Sequence, residues 1–190
     1  MIIYLHGFRS APASIKAQAL KARMEARGLA DHFWCEQLPV SPRAAIALAE
    51  SAIARARAAG IEPAVVGSSL GGYYATWLAQ QHALRAVLVN PAVVAPLSLE
   101  AFVGTQTNLY TGESFAFTRT HIDELRAFEV PAITHPERYW LLVETGDEVL
   151  DYRHAVEKYA DVRQTVLEGG DHGFSRWGEF LDDVIDFTCP

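Results

Sequence analysis

Residues 63–77 read PAVVGSSLGGYYATW, an apolar strand pattern that turns through glycine and serine into a helical pattern. Its centre, GSSLG at residues 67–71, matches the G-x-S-x-G nucleophile elbow with Ser69 in the reactive position. The flanking glycines remove side chains that would clash in so sharp a turn, and the new helix directs its N-terminal N–H groups at developing negative charge. Because a strand precedes the motif and a helix follows it, we predict Ser69 as a nucleophile and exclude Ser68, which lies one residue early.

Apolar runs typical of strands alternate with helical runs along the rest of the chain. Strands are predicted at residues 2–5, 33–38, 63–67, 85–89, 139–144 and 161–167. Helices are predicted at residues 14–27, 41–59 and 73–81, and an amphipathic helix closes the chain after Trp177. Several of the strands are almost wholly apolar, which indicates burial on both faces. These patterns predict an α/β fold with a mostly parallel sheet of about six strands and helices on both faces.

A chain of 190 residues fits one domain, so residues 1–190 are predicted to form a single unit. The alternation is interrupted between Asn90 and Glu137 by a connection with four prolines and several aromatic side chains. Long connections of this kind are commonly functional lids or binding loops. We therefore predict a small cap inserted in the sheet domain at about residues 91–137.

Composition excludes several classes of protein. The net charge of −7 argues against nucleic acid or an anionic membrane surface as a partner, because both reward clustered Lys and Arg. Two cysteines cannot form a disulfide framework or a cysteine-rich zinc site. The apolar stretches are too short to span a bilayer, and the first residues lack the pattern of a signal peptide. These features predict a cytoplasmic protein without membrane insertion; the oligomeric state cannot be predicted from them.

A serine hydroxyl needs a histidine base, and the α/β-hydrolase order places that histidine after the acid. His172 lies in a glycine-rich loop directly after the predicted strand 161–167, at the carboxyl edge of the sheet where such folds bind ligands. His154 falls in a helical run, and His121 and His135 lie in the predicted cap, upstream of the preferred acid. We predict His172 as the base.

The acid that orients the histidine should also follow a strand at this edge. Asp147 lies just past the strand 139–144 and is the predicted acid. Asp151, which is expected to cap the next helix, and the adjacent Glu148 remain alternatives. Glu144 is assigned to the strand itself.

An oxyanion needs two preorganised N–H donors. The backbone of Leu70, directly after the nucleophile, is predicted to supply one, and the backbone of Phe8, in the loop after the first strand, is predicted to supply the other. Arg9 is the alternative second donor. Phe8 and Tyr73 are predicted to contact substrate, although core packing is the competing interpretation for Tyr73.

With these residues in place, the chain resembles the α/β hydrolases, and more narrowly the small YqiA-type esterases. The matching pieces run in order over nearly the whole chain: residues 4–8, 66–77, 90–92, 110–112, 145–153 and 169–172. The resemblance implies a compact α/β-hydrolase fold that lacks the first two strands of larger relatives. It also implies esterase activity on carboxylic esters or thioesters through Ser69, Asp147 and His172, without a metal or an organic cofactor.

The sequence therefore predicts a serine esterase that forms an acyl-enzyme and acts on small-molecule esters with small or medium acyl chains. Two alternatives remain open. The same residues suit a thioesterase or an acyltransferase, because substrate binding rather than the catalytic group separates these reactions. A non-catalytic binding protein on the same fold is the alternative from a different class.

Overall fold

The computed structural model describes residues 1–189. Within them the strands are β1 (Ile2–Leu5), β2 (Phe33–Trp34), β3 (Ala64–Ser68), β4 (Ala86–Val89), β5 (Gly104–Thr107), β6 (Ser114–Phe117), β7 (Tyr139–Glu144) and β8 (Arg163–Leu167). The α-helices are α1 (Ile15–Ala26), α2 (Pro42–Ala58), α3 (Leu70–His82), α4 (Ala95–Ser98), α5 (Arg119–Arg126), α6 (Tyr152–Lys158) and α7 (Leu181–Thr188). Short 3₁₀ turns lie at Ala30–His32, Glu100–Phe102, Pro136–Arg138 and Trp177–Glu179.

The residues described form a six-stranded parallel sheet in the order β2-β1-β3-β4-β7-β8, which confirms the predicted fold class. Alternate side chains of β1, β3, β4 and β7 enter two separate cores. One core packs the sheet against α2, α3, α5 and α6, and the other packs it against α1 and α7. Burial on both faces explains why β1, β3, β4 and β7 are so apolar.

Local signals set the ends of the helices. Ser41 caps α2 by accepting a hydrogen bond from the N–H of Ala44, and Pro42 occupies the first helical position, where its missing N–H costs nothing. Gly60, with a φ of 74°, follows the helix end in a left-handed conformation that favours glycine. Asp151 caps α6 by accepting from the N–H of Arg153.

Strand β2 is shorter than predicted, since it ends at Trp34 rather than at residue 38. It lies at the edge of the sheet, and the chain leaves the strand there so that the N–H of Leu38 bonds to the ring of His6.

The segment between β4 and β7 holds α4, α5 and an antiparallel hairpin formed by β5 and β6. It covers the carboxyl edge of the sheet beside α3, with Ile122, Leu125 and Phe117 in the core shared with α3. None of the helices in residues 1–189 combines the length and the apolarity needed to cross a bilayer.

Candidate active site

Ser69 lies between β3 and α3 with a φ of 56° and a ψ of −122°. This conformation costs a non-glycine residue about 1–3 kcal/mol, and the surrounding structure must enforce it. A side chain at Gly71 would collide with the backbone of Leu5, and one at Gly67 would collide with the backbone of Gly71. The two glycines therefore allow the first turn of α3 to pack closely against the backbone of the sheet, and Ser69 lies at the tip of the turn between β3 and α3.

Three side chains from separate strand ends form a hydrogen-bonded chain at this tip. His172 Nε2 lies 3.1 Å from Ser69 Oγ, and His172 Nδ1 lies 2.8 Å from Asp147 Oδ2. The Asp147 side chain is 2% exposed, whereas the His172 side chain is 22% exposed. The arrangement gives the serine a basic partner and gives that partner a buried carboxylate.

Asp147 is fixed and ionised by its surroundings. Its Oδ1 accepts hydrogen bonds from the N–H groups of Val149 and Leu150, at 2.9 and 2.8 Å. Burial alone would raise the pKa of Asp147, but the hydrogen bonds from His172, Leu150 and Val149 outweigh it and hold the pKa below its usual value. An ionised carboxylate at this place favours the Nδ1–H tautomer of His172, in which Nε2 can accept the serine proton.

The alternative acids lie elsewhere. Asp151 pairs with Arg153, whose hydrogen bonds lower the pKa of Asp151 to about 2. Glu148 does contact the base, but through the backbone: its Oε2 accepts from the N–H of His172 at 3.0 Å. Only Asp147 among the carboxylates of residues 1–189 bonds to the His172 ring.

Within residues 1–189, none of the three alternative histidines, His121, His135 and His154, bonds to Ser69. His121 Nδ1 accepts from the N–H of Thr118 at the start of α5, and His135 pairs with Glu137 on the surface. His154 is exposed on α6.

The loop of residues 6–10, called the oxyanion loop below, follows β1 and lies against Ser69. A Cβ placed on Gly7 would stand 3.2 Å from Ser69 Cβ, so the backbone here passes as close as glycine allows. The backbone N–H groups of Phe8 and Leu70 donate no hydrogen bond within residues 1–189, and the same holds for Arg9. Free N–H groups beside a serine hydroxyl are what an oxyanion needs.

His6 braces the oxyanion loop. Its ring is buried, its Nε2 accepts from the N–H of Leu38 at 3.0 Å, and its Nδ1 lies 3.0 Å from the carbonyl oxygen of Gly7. Since Nε2 must accept, Nδ1 carries the proton and the ring is neutral. Burial lowers the pKa of His6, in keeping with that form.

A cavity of about 470 Å³ opens beside the serine and includes Ser69 and His172 in its walls. Phe8 lines it and also stacks edge-on against Phe102, Phe115 and Phe117 of the inserted segment, at centroid separations of 5.7, 5.9 and 5.0 Å. Phe8 therefore forms an apolar wall of the cavity beside Ser69.

Tyr73, which was also predicted to contact substrate, is not among the residues that line this cavity. Its ring is buried, and its hydroxyl donates to the carbonyl oxygen of Leu125 at 2.8 Å. The residue joins α3 to α5, because position 73 faces the packed side of the helix rather than the tip of the turn.

The loop of residues 169–176, called the base loop below, carries His172 and is held by side chains that the sequence did not single out. Glu144 is fully buried at the end of β7, and its Oε2 accepts from the N–H groups of Asp171 and Ser175. Asn90 Nδ2 donates to the carbonyl oxygens of Asp171 and His172 at 3.0 and 3.2 Å. A carboxylate at the end of an otherwise apolar strand was the one available signal for Glu144.

No group of three or more His, Cys, Asp or Glu side chains in the described part of the chain is placed to hold a metal ion.

Comparison with known proteins places these observations in context. The model of the uncharacterised protein family UPF0227 matches residues 1–189. A putative hydrolase from Agrobacterium vitis S4 superposes with a TM-score of 0.72 and 22% identity, covering 98% of this chain and 87% of that one. Mouse α/β hydrolase domain-containing protein 10 gives a TM-score of 0.65 and 18% identity, covering 97% and 89%. A monoacylglycerol lipase from Paleococcus ferrophilus gives 0.67 and 15%, covering 98% and 93%. At these identities the similarity shows a shared α/β-hydrolase fold.

Proposed function

Because the chain belongs to the UPF0227 family and has the α/β-hydrolase fold, we propose that it is a serine esterase acting on small-molecule carboxylic esters. The observation that carries the proposal is the hydrogen-bonded chain from Ser69 through His172 to Asp147. The names of the structural neighbours, among them an esterase domain and monoacylglycerol lipases, support the same class of reaction.

In the proposed reaction Ser69 Oγ attacks the ester carbonyl carbon while His172 Nε2 takes its proton. Asp147 holds the ring and stabilises the imidazolium that forms. The N–H groups of Leu70 and Phe8 stabilise the oxyanion. As the intermediate collapses, the bond to the leaving oxygen breaks and His172 protonates it, which releases the alcohol and leaves an acyl-enzyme. Water, deprotonated by His172, then attacks the acyl carbonyl, and Ser69 leaves with its proton restored.

The cavity bounds the substrate. A volume of about 470 Å³ beside Ser69 suits small or medium acyl groups, with Phe8 as an apolar wall. Thioesters present the same carbonyl to the same residues, so a panel that pairs each oxygen ester with its thioester separates esterase from thioesterase. Adding competing acceptor alcohols to that panel reveals acyl transfer.

Fluorophosphonate labelling tests the proposal, with the modified residue mapped by mass spectrometry in wild type and in His172→Ala. We expect labelling at Ser69 that is lost in the variant, together with release of alcohol from an aryl butyrate by wild type only. His154→Ala, which changes an exposed histidine of α6, is the matched control and should label normally. A folded wild type that neither labels nor hydrolyses any ester of the panel contradicts the proposal and favours a binding protein.

A further inference from the structure

Most backbone polar groups of the base loop near His172 are hydrogen-bonded to side chains from other parts of the chain. The N–H of His172 bonds to Glu148, and the carbonyl oxygens of Asp171 and His172 bond to Asn90. Lys16 Nζ donates to the carbonyl oxygen of Gly173 at 2.6 Å. Each of these side chains comes from outside the loop, so the surrounding elements determine where the loop lies.

Glu144 makes more of these contacts than any other side chain in the described structure. Its Oε2 accepts from the N–H of Asp171 at 2.9 Å and from the N–H of Ser175 at 3.0 Å. Its Oε1 accepts from the N–H of Arg176 at 3.2 Å and from Arg176 Nε at 3.1 Å. The carboxylate thus accepts hydrogen bonds from the base loop both before and after His172.

The Glu144 carboxylate is ionised in spite of its burial. Burial alone would raise its pKa, but the hydrogen bonds from Asp171, Arg176 and Ser175 hold the pKa below the usual value. Hydrogen bonds to an ionised acceptor are shorter and stronger than those between neutral groups. Loss of the acceptor would also leave several N–H groups in the interior without a partner.

Glu144 and Asp147 leave the same strand end, three positions apart in the sequence. Asp147 bonds to the imidazole ring, and Glu144 bonds to the backbone that carries the ring. One rigid strand therefore sets both the position of the His172 main chain and the direction of its side chain. Misplacing a reacting group by about 1 Å can cost about 10²-fold in rate.

We propose that Glu144 is a positioning residue for the base, which holds the base loop so that His172 Nε2 stays within reach of Ser69 Oγ. This inference rests on the proposed esterase function. Glu144 is not a catalytic residue, because it contacts neither Ser69 nor the His172 ring.

Glu144→Gln tests the proposal, because glutamine has nearly the same shape but lacks the charge and presents an amide group to the N–H donors. We expect kcat to fall about 10–100-fold while KM changes less than about twofold, as follows when an interaction needed only in the transition state is lost. The matched control is Glu137→Gln, an exposed carboxylate that precedes the other end of β7, and it should keep wild-type kcat.

A second measurement separates positioning from mere structural support. The Nδ1 proton shared by His172 and Asp147 should give a downfield proton resonance in wild type and in Glu137→Gln, and this signal should shift or vanish in Glu144→Gln. Both measurements are made well below the melting temperature of each variant. Wild-type kcat together with an unmoved resonance in folded Glu144→Gln would overturn the proposal.

Glu144→Asp and Ser175→Ala serve if Glu144→Gln does not fold. Aspartate keeps the charge but shortens the reach, and Ser175→Ala removes one hydroxyl donor to the carboxylate. We expect a graded loss of kcat, smaller in Ser175→Ala, and wild-type kcat in both would overturn the proposal. Failure of the esterase function would be recognised differently, as absence of turnover and labelling in wild type, and the resonance would still test whether Glu144 positions His172.

Discussion

The two loops that flank Ser69 are held by opposite kinds of interaction. The oxyanion loop depends mostly on neutral contacts: the ring of His6 bonds to the N–H of Leu38, and Phe8 packs against aromatic rings of the inserted segment. Its one charged side chain, Arg9, donates to the carbonyl oxygen of Thr107. The base loop depends on charged side chains, with Glu144, Glu148 and Lys16 bonded to its backbone. This difference in the kind of interaction fits the function proposed for each loop.

The proposed oxyanion site needs N–H groups that stay in place, and apolar packing provides this independently of salt and, except at His6, of pH. The base loop must instead carry a histidine that gains and loses a proton. A ring of charged groups fixes the loop firmly, but it also makes its position depend on their ionisation.

The largest effect is expected from Asp147→Asn, which removes the charge that orients His172 but leaves Glu144 on the loop backbone. We expect kcat to fall roughly 10⁴-fold with a small change in stability, because the amide favours the wrong imidazole tautomer. Ester hydrolysis and thermal melting measure the two quantities. A loss no larger than that of Glu144→Gln would show that ring orientation and loop position are not separate functions.

A loss of kcat smaller than that of Asp147→Asn is expected for Gly170→Ala, with Gly169→Ala as its matched control. Both glycines have a φ near 74°, so alanine strains the backbone equally, by roughly 1–2 kcal/mol. Only at position 170 would the new Cβ collide with the Glu144 carboxylate; at position 169 it meets open space. We expect both variants to lose stability, measured by urea unfolding, but only Gly170→Ala to lose several-fold in kcat. Equal kcat in the two variants would contradict the role given to Glu144.

Phe8→Ala tests whether the oxyanion loop supplies an apolar contact to the acyl group. The side chain is partly buried among aromatic rings, so its removal should weaken an apolar acyl contact and raise KM for an aryl butyrate about tenfold. KM for the matching acetate should change less, because the shorter chain reaches less of the wall. The ratio of kcat/KM for the two esters is the readout, and a ratio equal to that of wild type would place the acyl group elsewhere.

The smallest effect is expected on the stability of the folded protein when the pH is lowered. The two loops should lose stability in different pH ranges. Burial lowers the pKa of His6, so the unfolded chain binds a proton that the folded chain resists, and stability falls as the pH drops below about 6.5. The lowered pKa values of Glu144 and Asp147 place their loss of stability below about pH 4.5. Thermal melting between pH 8 and 3 should show both steps, and His6→Gln should remove only the first. Persistence of the first step in His6→Gln would assign it to another group.

The sequence was sufficient to predict the sheet and the meeting of Ser69, Asp147 and His172, because both depend on order along the chain. Apolar runs followed by glycine residues indicate where each strand ends, and residues that follow parallel strands meet at one edge of the sheet. Ser69, Asp147 and His172 each follow such a strand, and the structure brings them within hydrogen-bond distance.

The supporting contacts could not be predicted in the same way. Glu144 is an unusual end to an apolar strand, but its partner Arg176 lies 32 residues away and no local pattern connects them. The β5–β6 hairpin was missed because its strands are short and only partly buried. The prediction that Tyr73 contacts substrate rested on its closeness to Ser69 in the sequence, which says little about which side of a helix faces the cavity.

The order of the strands in the sheet also bears on how the protein is made. Ser69 precedes His172 by 103 residues, and β8, which leads into the base loop, lies at the edge of the sheet and pairs with β7. While the ribosome is still adding these residues, β1, β3 and β4 can already pair. Until β7 and β8 join the sheet, the proposed nucleophile lacks both Asp147 and His172, so the nascent chain would carry a serine with ordinary alcohol reactivity.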